Sequence, residues 1–390
     1  MYKLRHLILT GVCCALVSTA LCGTVFLNIR PYTNGDTVMM ARKILMNNYV
    51  NPLTEEQVTK MNDMAISGMV ASLGDQYSRY LNEEDMAAYE EEKKETYVGI
   101  GVSVNFDVEE NVMTVVSPYD GSPAQKAGLL PGDIVLEVAG VKVTAESYDS
   151  VLEYIKKGED EEIALLIGRG EETIEVSVKR EEIKRQSVSY KMYGDGIGRI
   201  RVSEFIQNTA GDFENALNEL KASGMRGLII DLRSNPGGYA DTVLKMTDKL
   251  LPEGVIAYLE DNHGKRQYFH SDEECLDIPM VVLINQGTAS ASELMAGSLK
   301  AHDLATIIGE KSYGKAVGQS VYPLTATTAI YLTNSRYFTP NGECIDKIGI
   351  TPDIQVSLPV ELIGKISYLE PEEDPQLAKA IEVLLSKIGA

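Results

Sequence analysis

The stretch that decides the fold lies at residues 227–238, which read Gly-Leu-Ile-Ile-Asp-Leu-Arg-Ser-Asn-Pro-Gly-Gly. The first half is a continuous apolar run, typical of a strand that is buried on both faces of a sheet. A glycine-rich turn then leads into a helical pattern at residues 239–251. The same order recurs where residues 281–285 lead through small residues into residues 291–301. This alternation predicts an α/β layer with a mostly parallel sheet, whose carboxyl edge carries the site.

The overall composition excludes several classes of protein. The chain has 390 residues, which is too long for one ordinary domain, and 44% of them are hydrophobic, which is ample for packed cores. Lys plus Arg (36) minus Asp plus Glu (57) gives a net charge of −21. A chain this acidic is repelled by phosphate backbones, so we predict no nucleic-acid partner. Four histidines and five cysteines leave little material for a metal site, and we predict no metal and no cofactor.

An apolar run at residues 7–27 follows the basic residues Lys3 and Arg5. As a helix this run is roughly 31 Å long, enough to cross a bilayer. The positive flank favours an N-terminus in the cytoplasm. We therefore predict that residues 1–30 form a cytoplasmic stub and a single-pass anchor in the cell membrane, with the rest of the chain outside the cytoplasm. A cleaved signal peptide, which would make the protein secreted, is the alternative.

The region that follows the anchor has a helical pattern. Apolar residues recur at helical spacing between residues 36 and 95, and Pro52 interrupts the first run. Thr54, followed by two glutamates, is suited to cap the next helix. Residues 83–95 carry many carboxylates and indicate a solvated helix. The sequence therefore predicts a helical N-terminal region at residues 31–95.

Strand patterns replace the helical ones at residue 96. Four glycine-containing motifs follow in order: Val98-Gly99-Ile100-Gly101, then Gly121-Ser122-Pro123-Ala124, Ala127-Gly128-Leu129 and Gly132-Asp133. With these motifs, residues 96–183 resemble a PDZ domain. A PDZ groove adds an extended peptide to a sheet edge, and backbone N–H groups of a glycine loop hold the terminal carboxylate of that peptide. The resemblance therefore implies that the loop residues 98–101 bind a peptide C-terminus. Strands are predicted at residues 112–116, 134–138, 163–167 and 173–178, and helices at 124–128 and 147–156.

Two turns in residues 184–390 are suited to hold developing negative charge. Gly237 and Gly238 follow a buried strand, so their N–H groups are able to point into a site, although an ordinary strand-to-helix turn has the same pattern. Ser290 lies where a second strand ends and a helix begins. The free N–H groups and the dipole of a helix N-terminus favour an oxyanion beside a nucleophile there. Simple helix capping is the alternative interpretation of this serine.

A lysine between glycines occurs in the segment 309–319. Strand residues follow Lys315, which makes enclosure more probable than for a lysine on a helix face, and burial lowers the pKa of an amine toward that of a general base. Gln319 lies four residues further on, where it is able to orient the amine. A lysine in a surface loop is the alternative.

Together, Ser290, Lys315 and Gln319 resemble the nucleophile, the base and the orienting glutamine of the bacterial carboxy-terminal processing proteases, which are PDZ-containing Ser–Lys serine peptidases. The gaps of twenty-five and four residues are the ones that this family uses. The resemblance covers nearly all of the chain after the anchor, and departures occur at Gly74, Ala316 and Gly318. Further motifs similar to those of the family lie at residues 69–78, 337–342 and 349–354.

The resemblance implies a membrane-anchored serine endopeptidase, acting outside the cytoplasm on proteins that it recognises through unstructured apolar C-terminal tails. Neutral Lys315 would take the proton of Ser290, and the N–H groups of Ala291 and of Gly237 or Gly238 would hold the oxyanion. The resemblance also implies a homodimer formed through the N-terminal helices, gating by the PDZ domain, and a role for an activating protein.

Rival assignments for the nucleophile and the base are weaker. Ser292 falls inside the predicted helix, and the family spacing selects Ser290. His302 lies twelve residues beyond Ser290, at the far end of that helix and about 18 Å away. An α/β hydrolase of small esters would need a Gly-x-Ser-x-Gly motif, which the sequence lacks. The remaining alternative is a PDZ-type peptide-binding scaffold with an inactive peptidase domain.

The cysteines and histidines outside these motifs indicate no further site. Cys275 and Cys344 are compatible with one disulfide or with two free thiols. His263, His270 and Cys275 match no strong zinc spacing, so we predict a polar hairpin there.

Overall fold

The computed structural model describes residues 34–107, 110–119, 121–157, 161–367 and 369–389. The chain divides after Gly74 into two units. The predicted membrane anchor at residues 7–27 lies outside the described residues. Among the helices that are described, none combines the length and the apolar character that a membrane crossing requires.

The first unit contains helices α1 (Asn34–Asn48) and α2 (Glu55–Ala71). Thr54 caps α2 as predicted: its hydroxyl accepts a hydrogen bond from the Gln57 N–H, and the Gln57 side chain accepts one from the Thr54 N–H. Large apolar side chains of this unit are exposed, among them Met39 (74%), Val50 (86%) and Met64 (66%). These helices therefore present an unusual amount of apolar surface.

The second unit opens with a strand inside the region predicted to be helical. The Asp75 carboxylate accepts hydrogen bonds from the N–H groups of Tyr77 and Ser78, and this turn ends the helical pattern. Strand β1 (Arg79–Leu81) follows and pairs antiparallel with the distant strand Ala329–Phe338. In the second unit, the predicted helical pattern is confirmed at α3 (Glu83–Glu92). This helix buries no side chain, as the predicted solvated surface requires. The fully helical prediction for residues 31–95 is wrong at β1, because that strand depends on a partner far along the chain.

The PDZ-type sheet has the order β3–β4–β5–β7–β8, with β6 paired to β5. Its core includes Met113, Val115, Ile163 and Ile167, and the predicted strands and helices are confirmed with shifted ends. A separate pair, β2 with β9, brackets this domain at its two ends. The elements are β2 (Thr96–Gly99), β3 (Val102–Asp107), β4 (Val112–Pro118), α4 (Pro123–Lys126), β5 (Ile134–Val138), β6 (Val141–Lys142), α5 (Tyr148–Lys156), β7 (Glu162–Arg169), β8 (Glu172–Lys179) and β9 (Glu181–Lys184).

The remaining chain forms two sheets. The elements are β10 (Val188–Tyr193), β11 (Ile197–Val202), α6 (Thr209–Ala222), β12 (Gly227–Asp231), α7 (Ala240–Asp248), β13 (Gly254–Asp261), β14 (Arg266–Ser271), β15 (Met280–Ile284), α8 (Ala291–Ala301), β16 (Ala305–Gly309), β17 (Val317–Pro323), β18 (Ala329–Phe338), β19 (Ile354–Gln355), α9 (Val360–Ile363) and α10 (Pro375–Ile388). One sheet has the order β10–β11–β12–β15–β16–β19, and the other has the order β1–β18–β13–β14 with β17 on β18.

The prediction of a mostly parallel sheet is wrong for these two sheets taken together. Strands β11, β12, β15, β16 and β19 are parallel neighbours, as the apolar runs indicated. The second sheet is antiparallel throughout, and β10 is antiparallel to β11. Within these two sheets, the described residues therefore form four parallel and five antiparallel strand pairs. The second sheet depends on antiparallel pairings between strands that are not neighbours along the chain, such as β1 with β18 and β13 with β18, and a local sequence pattern does not indicate such partners.

The parallel sheet is covered by helices on both faces. Ile230 and Val282 pack toward α6, α7 and α8, whereas Ile229 and Val281 pack toward α10. All five residues of β12 and of β15 are buried. This arrangement explains the continuous apolar runs and places the carboxyl ends of both strands at one edge of the sheet.

A buried ion network fixes that edge. The carboxylate of Asp231, which is fully buried, contacts Arg199 at 2.6 Å and Arg233 at 2.7 Å, and Arg233 contacts Asp374 at 2.8 Å. Burial opposes the ionisation of Asp231, but Arg233 and Arg199 outweigh it and hold the pKa of this carboxyl far below its ordinary value. Asp374 also caps α10, so the network joins β11, β12 and the C-terminal helix.

Substitution of Asp231 tests the structural weight of this network. Asp231→Ala leaves Arg199 buried without a carboxylate partner and Arg233 with Asp374 alone, so the free energy of unfolding should fall by about 3–5 kcal/mol. Glu382→Gln, which removes an exposed partner of Lys379, should change it by less than about 0.5 kcal/mol. Urea unfolding followed by circular dichroism measures both. Because the pKa of Asp231 is depressed in the folded state, the unfolded chain takes up the proton first. The stabilisation should therefore be complete at neutral pH and be lost progressively as the pH falls below the ordinary pKa of a carboxyl group. Equal effects of the two variants would contradict the assignment.

Candidate active site

Ser290 occupies a strained turn between β15 and α8. Its backbone has φ 56° and ψ −118°, a conformation that non-glycine residues rarely adopt. The side chain is half-buried at the N-terminus of α8, and the Tyr337 phenol donates a hydrogen bond to the Ser290 carbonyl at 3.0 Å. Such a turn at a strand-to-helix junction exposes a serine hydroxyl beside free helix N–H groups.

Gly237 allows a second turn to approach Ser290 closely. A Cβ atom at Gly237 would lie 2.8 Å from the Ser290 Cβ and 2.9 Å from the Ala289 carbonyl oxygen, and its φ is +108°. Any other residue at this position would push the two turns apart. The structure therefore brings the glycine turn and the serine turn, which the sequence analysis singled out separately, into direct contact.

Two backbone N–H groups at this contact are available to a ligand. The Gly237 N–H donates to the Asn235 side chain at 2.9 Å and is therefore occupied. The N–H groups of Gly238 and Ala291 have no acceptor among the described residues. Of the two glycines left open by the sequence, Gly238 is the one whose donor is free.

A buried carboxylate joins the serine turn to the lysine loop. Glu293, which is fully buried, accepts hydrogen bonds from the N–H groups of Ser290 (2.9 Å), Gly314 (2.7 Å) and Lys315 (2.8 Å). It also accepts one from the Ser312 hydroxyl at 2.5 Å. Four donors satisfy one carboxylate, and this explains how a charged side chain is tolerated in the interior.

Lys315 is half-buried, and its amine lies over an aromatic ring. Burial lowers the pKa of Lys315 below its ordinary value, while Asp75 acts in the opposite sense. The Nζ atom is 4.5 Å from the centroid of the Tyr77 ring. Both Ser290 and Lys315 are described, and no hydrogen bond joins the Ser290 hydroxyl to the Lys315 amine.

Gln319 lies near Lys315 but is bonded elsewhere. Its side-chain amide donates to the Thr333 hydroxyl at 3.2 Å and to the Val317 carbonyl at 3.4 Å. No hydrogen bond joins this described side chain to the Lys315 amine. Its orienting role therefore stays a prediction.

One cleft of about 680 Å³ has five of the predicted site residues in its wall: Ser290, Ala291, Gly238, Lys315 and Gln319.

A second cavity of about 640 Å³ lies in the PDZ-type domain, between β3 and α5. Its lining is largely apolar and includes Val102, Val104 and Ile155. The two cavities share three lining residues, Glu92, Arg185 and Glu204, and are therefore adjacent.

Three of the four predicted loop residues line the second cavity: Val98, Ile100 and Gly101. The N–H groups of Ile100 and Gly101 have no acceptor among the described residues. Gly99 instead belongs to β2 and pairs with Glu181. The loop thus offers two free donors at the end of an apolar groove.

The rival residues have structural roles. Ser292 is buried, and its hydroxyl donates to the Asn235 carbonyl at 3.0 Å. His302 ends α8 and hydrogen-bonds the Val255 carbonyl at 2.8 Å. Cys275 and Cys344 are free thiols, and the predicted polar hairpin is formed by β13 and β14.

The sequence analysis missed two residues of the site. The position of Glu293, three residues after Ser290, is a capping-box signal in the sequence, but that signal does not show that the carboxylate also reaches the lysine loop. Tyr77 carried no chemical signal of its own. Its place over Lys315 depends on a turn and a strand pairing that bridge more than two hundred residues.

The fold and this site define the class of the protein. A PDZ-type domain lies beside an α/β domain with a serine at a strained helix N-terminus and a half-buried lysine in the same cleft, as in a serine-type peptidase. Residues 196–356 match Peptidase family S41, and residues 114–169 match the PDZ domain family.

Relatives and solved structures agree with this class. The chain is 31% identical to a probable CtpA-like serine protease of Staphylococcus aureus (strain N315) over 93% of this chain and 74% of that one. It is 33% identical to a carboxy-terminal-processing protease of Bartonella bacilliformis over 84% of this chain and 81% of that one. It also resembles the solved photosystem II D1 C-terminal processing protease (TM-score 0.52, 27% identity, 85% and 91% coverage). A putative S41 protease from Bacteroides fragilis shares the fold (TM-score 0.63, 16% identity, 89% and 97% coverage). The chain therefore belongs to the carboxy-terminal processing proteases of Peptidase family S41, and it is a serine-type peptidase.

Substitution of Glu293 tests whether its carboxylate holds the site together. Glu293→Gln keeps the size of the side chain but places an amide donor among four donors, so we expect a loss of about 3 kcal/mol in the free energy of unfolding. Peptidase activity should fall at least tenfold at temperatures where the variant is folded. Thermal unfolding and peptide cleavage measure the two effects. Glu343→Gln, at an exposed glutamate, is the control, and a Glu293 variant with the parent's stability and activity would contradict this role.

Proposed function

We propose that the protein is an endopeptidase in which Ser290 is the nucleophile and Lys315 is the general base. The observation that carries this proposal is a half-buried lysine, with its pKa lowered by burial, in the same cleft as a serine on a strained turn. Asp75 opposes the effect of burial but does not cancel it. Since Ser292 and His302 are engaged in structural hydrogen bonds, they are poor rivals for these roles.

The proposed reaction follows from the donors in the cleft. Neutral Lys315 takes the hydroxyl proton while the Ser290 oxygen attacks the peptide carbonyl carbon, and the carbonyl oxygen becomes an oxyanion between the N–H groups of Gly238 and Ala291. Lys315 then gives the proton to the leaving amine as the C–N bond breaks. Water hydrolyses the acyl-enzyme. One oxyanion donor typically lowers the barrier by about 3–4 kcal/mol.

We further propose that substrates are recognised by an apolar C-terminal tail bound in the PDZ-type groove. The free N–H groups of Ile100 and Gly101 at one end of the groove support capture of a terminal carboxylate. The apolar lining supports an apolar tail, and the adjacency of the two cavities supports transfer of the chain into the cleft.

The surroundings of the enzyme are also part of the proposal. Residues 7–27 anchor the chain in the cell membrane, and the peptidase acts outside the cytoplasm. The exposed apolar side chains of α1 and α2 support a homodimer formed through these helices. Since no hydrogen bond joins the Ser290 hydroxyl to the Lys315 amine, a closing step, driven by tail binding or by an activating protein, precedes turnover.

Cleavage by matched variants tests the dyad. The full chain in mild detergent is mixed with an unfolded protein that bears an apolar C-terminal tail, and mass spectrometry follows the products. The parent should cut the substrate, whereas Ser290→Ala and Lys315→Ala should lower the rate at least a thousandfold because each removes one partner of the proton transfer. Ser292→Ala serves as the serine control and should retain most of the activity. Cleavage that survives Ser290→Ala would contradict the mechanism. Tail binding without any cleavage by the parent would favour the scaffold alternative.

Amidation of the tail tests carboxylate capture separately. A substrate with a C-terminal amide lacks the charge that the loop N–H groups favour, so kcat/KM should fall tenfold or more. Steady-state cleavage of paired peptides that differ only at this group gives the ratio. Equal kcat/KM for acid and amide would refute recognition of the terminal carboxylate.

A further inference from the structure

The amine of Lys315 contacts an aromatic face rather than a polar partner. Its Nζ atom lies 4.5 Å from the centroid of the Tyr77 ring and donates no hydrogen bond to any described residue. Burial, reinforced by the neighbouring Tyr313, raises the pKa of Tyr77 to about 12. The phenol therefore stays neutral at physiological pH, and the contact is of the cation–π type rather than an ion pair.

The Tyr77 ring is held in place by the peptidase sheet. The Asp75 carboxylate accepts hydrogen bonds from the Tyr77 N–H (3.3 Å) and from the Ser78 N–H (3.0 Å), which fixes the turn. The Ser78 hydroxyl in turn accepts from the Thr333 N–H of β18 at 3.0 Å. Thr333 is also the partner of Gln319. The turn, the ring and the lysine loop therefore keep a fixed relation to one another.

Other charged groups near Lys315 are arranged differently. Asp75 favours the charged amine from a distance. The Glu293 carboxylate is bonded to the Lys315 backbone N–H, and the Asp346 carboxylate to the Ala316 N–H. Neither of these two carboxylates forms an ion pair with the amine in the described part of the chain. The Tyr77 face is thus the group in direct contact with the Lys315 charge.

We propose that Tyr77 is a positioning residue for Lys315: its ring holds the amine inside the cleft and stabilises the ammonium form, so the ring sets how readily Lys315 gives up its proton. The catalytic consequence rests on the proposed function of Lys315 as the base. When the amine loses its proton, its attraction to the ring weakens and it is free to accept the Ser290 hydroxyl proton. The ring therefore keeps the protonated lysine ordered between turnovers.

Two substitutions separate the aromatic face from simple bulk. Tyr77→Leu keeps an apolar side chain but removes the π face, whereas Tyr77→Phe keeps the face and removes the hydroxyl. Competitive acetylation of the full chain across a pH series, read by mass spectrometry of the peptide that contains Lys315, reports the ionisation of the amine itself. The pKa of Lys315 should fall by about 0.5–1.5 pH units in Tyr77→Leu and stay within about 0.3 units in Tyr77→Phe.

The dependence of kcat/KM on pH gives the catalytic readout. Activity requires the neutral amine, so the acidic limb of the profile should move to lower pH in Tyr77→Leu by the same amount as the acetylation curve. Tyr322→Leu, at an exposed tyrosine of β17, controls for general effects, and thermal unfolding verifies that each variant is folded.

The outcomes distinguish the contact from the mechanism. An acetylation curve that does not move in Tyr77→Leu, or that moves to higher pH, would overturn the proposal, since the ring would then act at most by excluding water. A shift in Tyr77→Phe as large as in Tyr77→Leu would also overturn it. An acetylation shift without a matching shift in kcat/KM would support the contact and contradict the assignment of Lys315 as the base.

Discussion

The site depends on one buried carboxylate. Glu293 lies in the first turn of α8 and binds the backbone N–H groups of Ser290, Gly314 and Lys315 together. Ser290 precedes α8, whereas Gly314 and Lys315 lie in the loop between β16 and β17. Without a shared acceptor, each of these N–H groups would be left unpaired at a cost of about 1–3 kcal/mol. The same interaction that satisfies these donors therefore fixes the distance between the serine turn and the lysine loop. Stability and the geometry of the proposed dyad are set by a single group.

Around this carboxylate, close backbone packing shapes the oxyanion site. The glycine turn after β12 reaches the serine turn after β15 because Gly237 has no side chain, and the Asn235 side chain fixes the Gly237 N–H. This leaves the Gly238 N–H free beside that of Ala291. The Asp231 ion network stabilises the same edge of the sheet from the α10 face. The carboxylates of Asp231 and Glu293 thus hold the edge, while the part of the cleft around Ser290 presents the N–H groups of Gly238 and Ala291 and the amine of Lys315.

Much of this arrangement was predictable from the sequence, because local patterns determine it. The apolar runs of β12 and β15, the glycine pair and Ser290 all occur in short segments whose order indicates parallel strands with a site at their ends. The strand β1 and the place of Tyr77 over Lys315 depend on pairings between residues about 250 positions apart, such as Tyr80 with Ile330. A strand of three residues gives too weak a signal to identify such a partner. Likewise the sequence placed Glu293 on the helix but could not show that its carboxylate would meet the lysine loop.

A crystal structure of the full chain with a peptide boronic acid would test the central claim most directly. Boron mimics the tetrahedral carbon of the intermediate, so the mechanism predicts a covalent bond from the Ser290 oxygen to boron. One boronate oxygen should lie within about 3 Å of the N–H groups of Gly238 and Ala291, and the Lys315 amine should leave the Tyr77 ring to contact the Ser290 oxygen. Boron bound to another residue, or an adduct whose oxygen points away from these two N–H groups, would contradict the account.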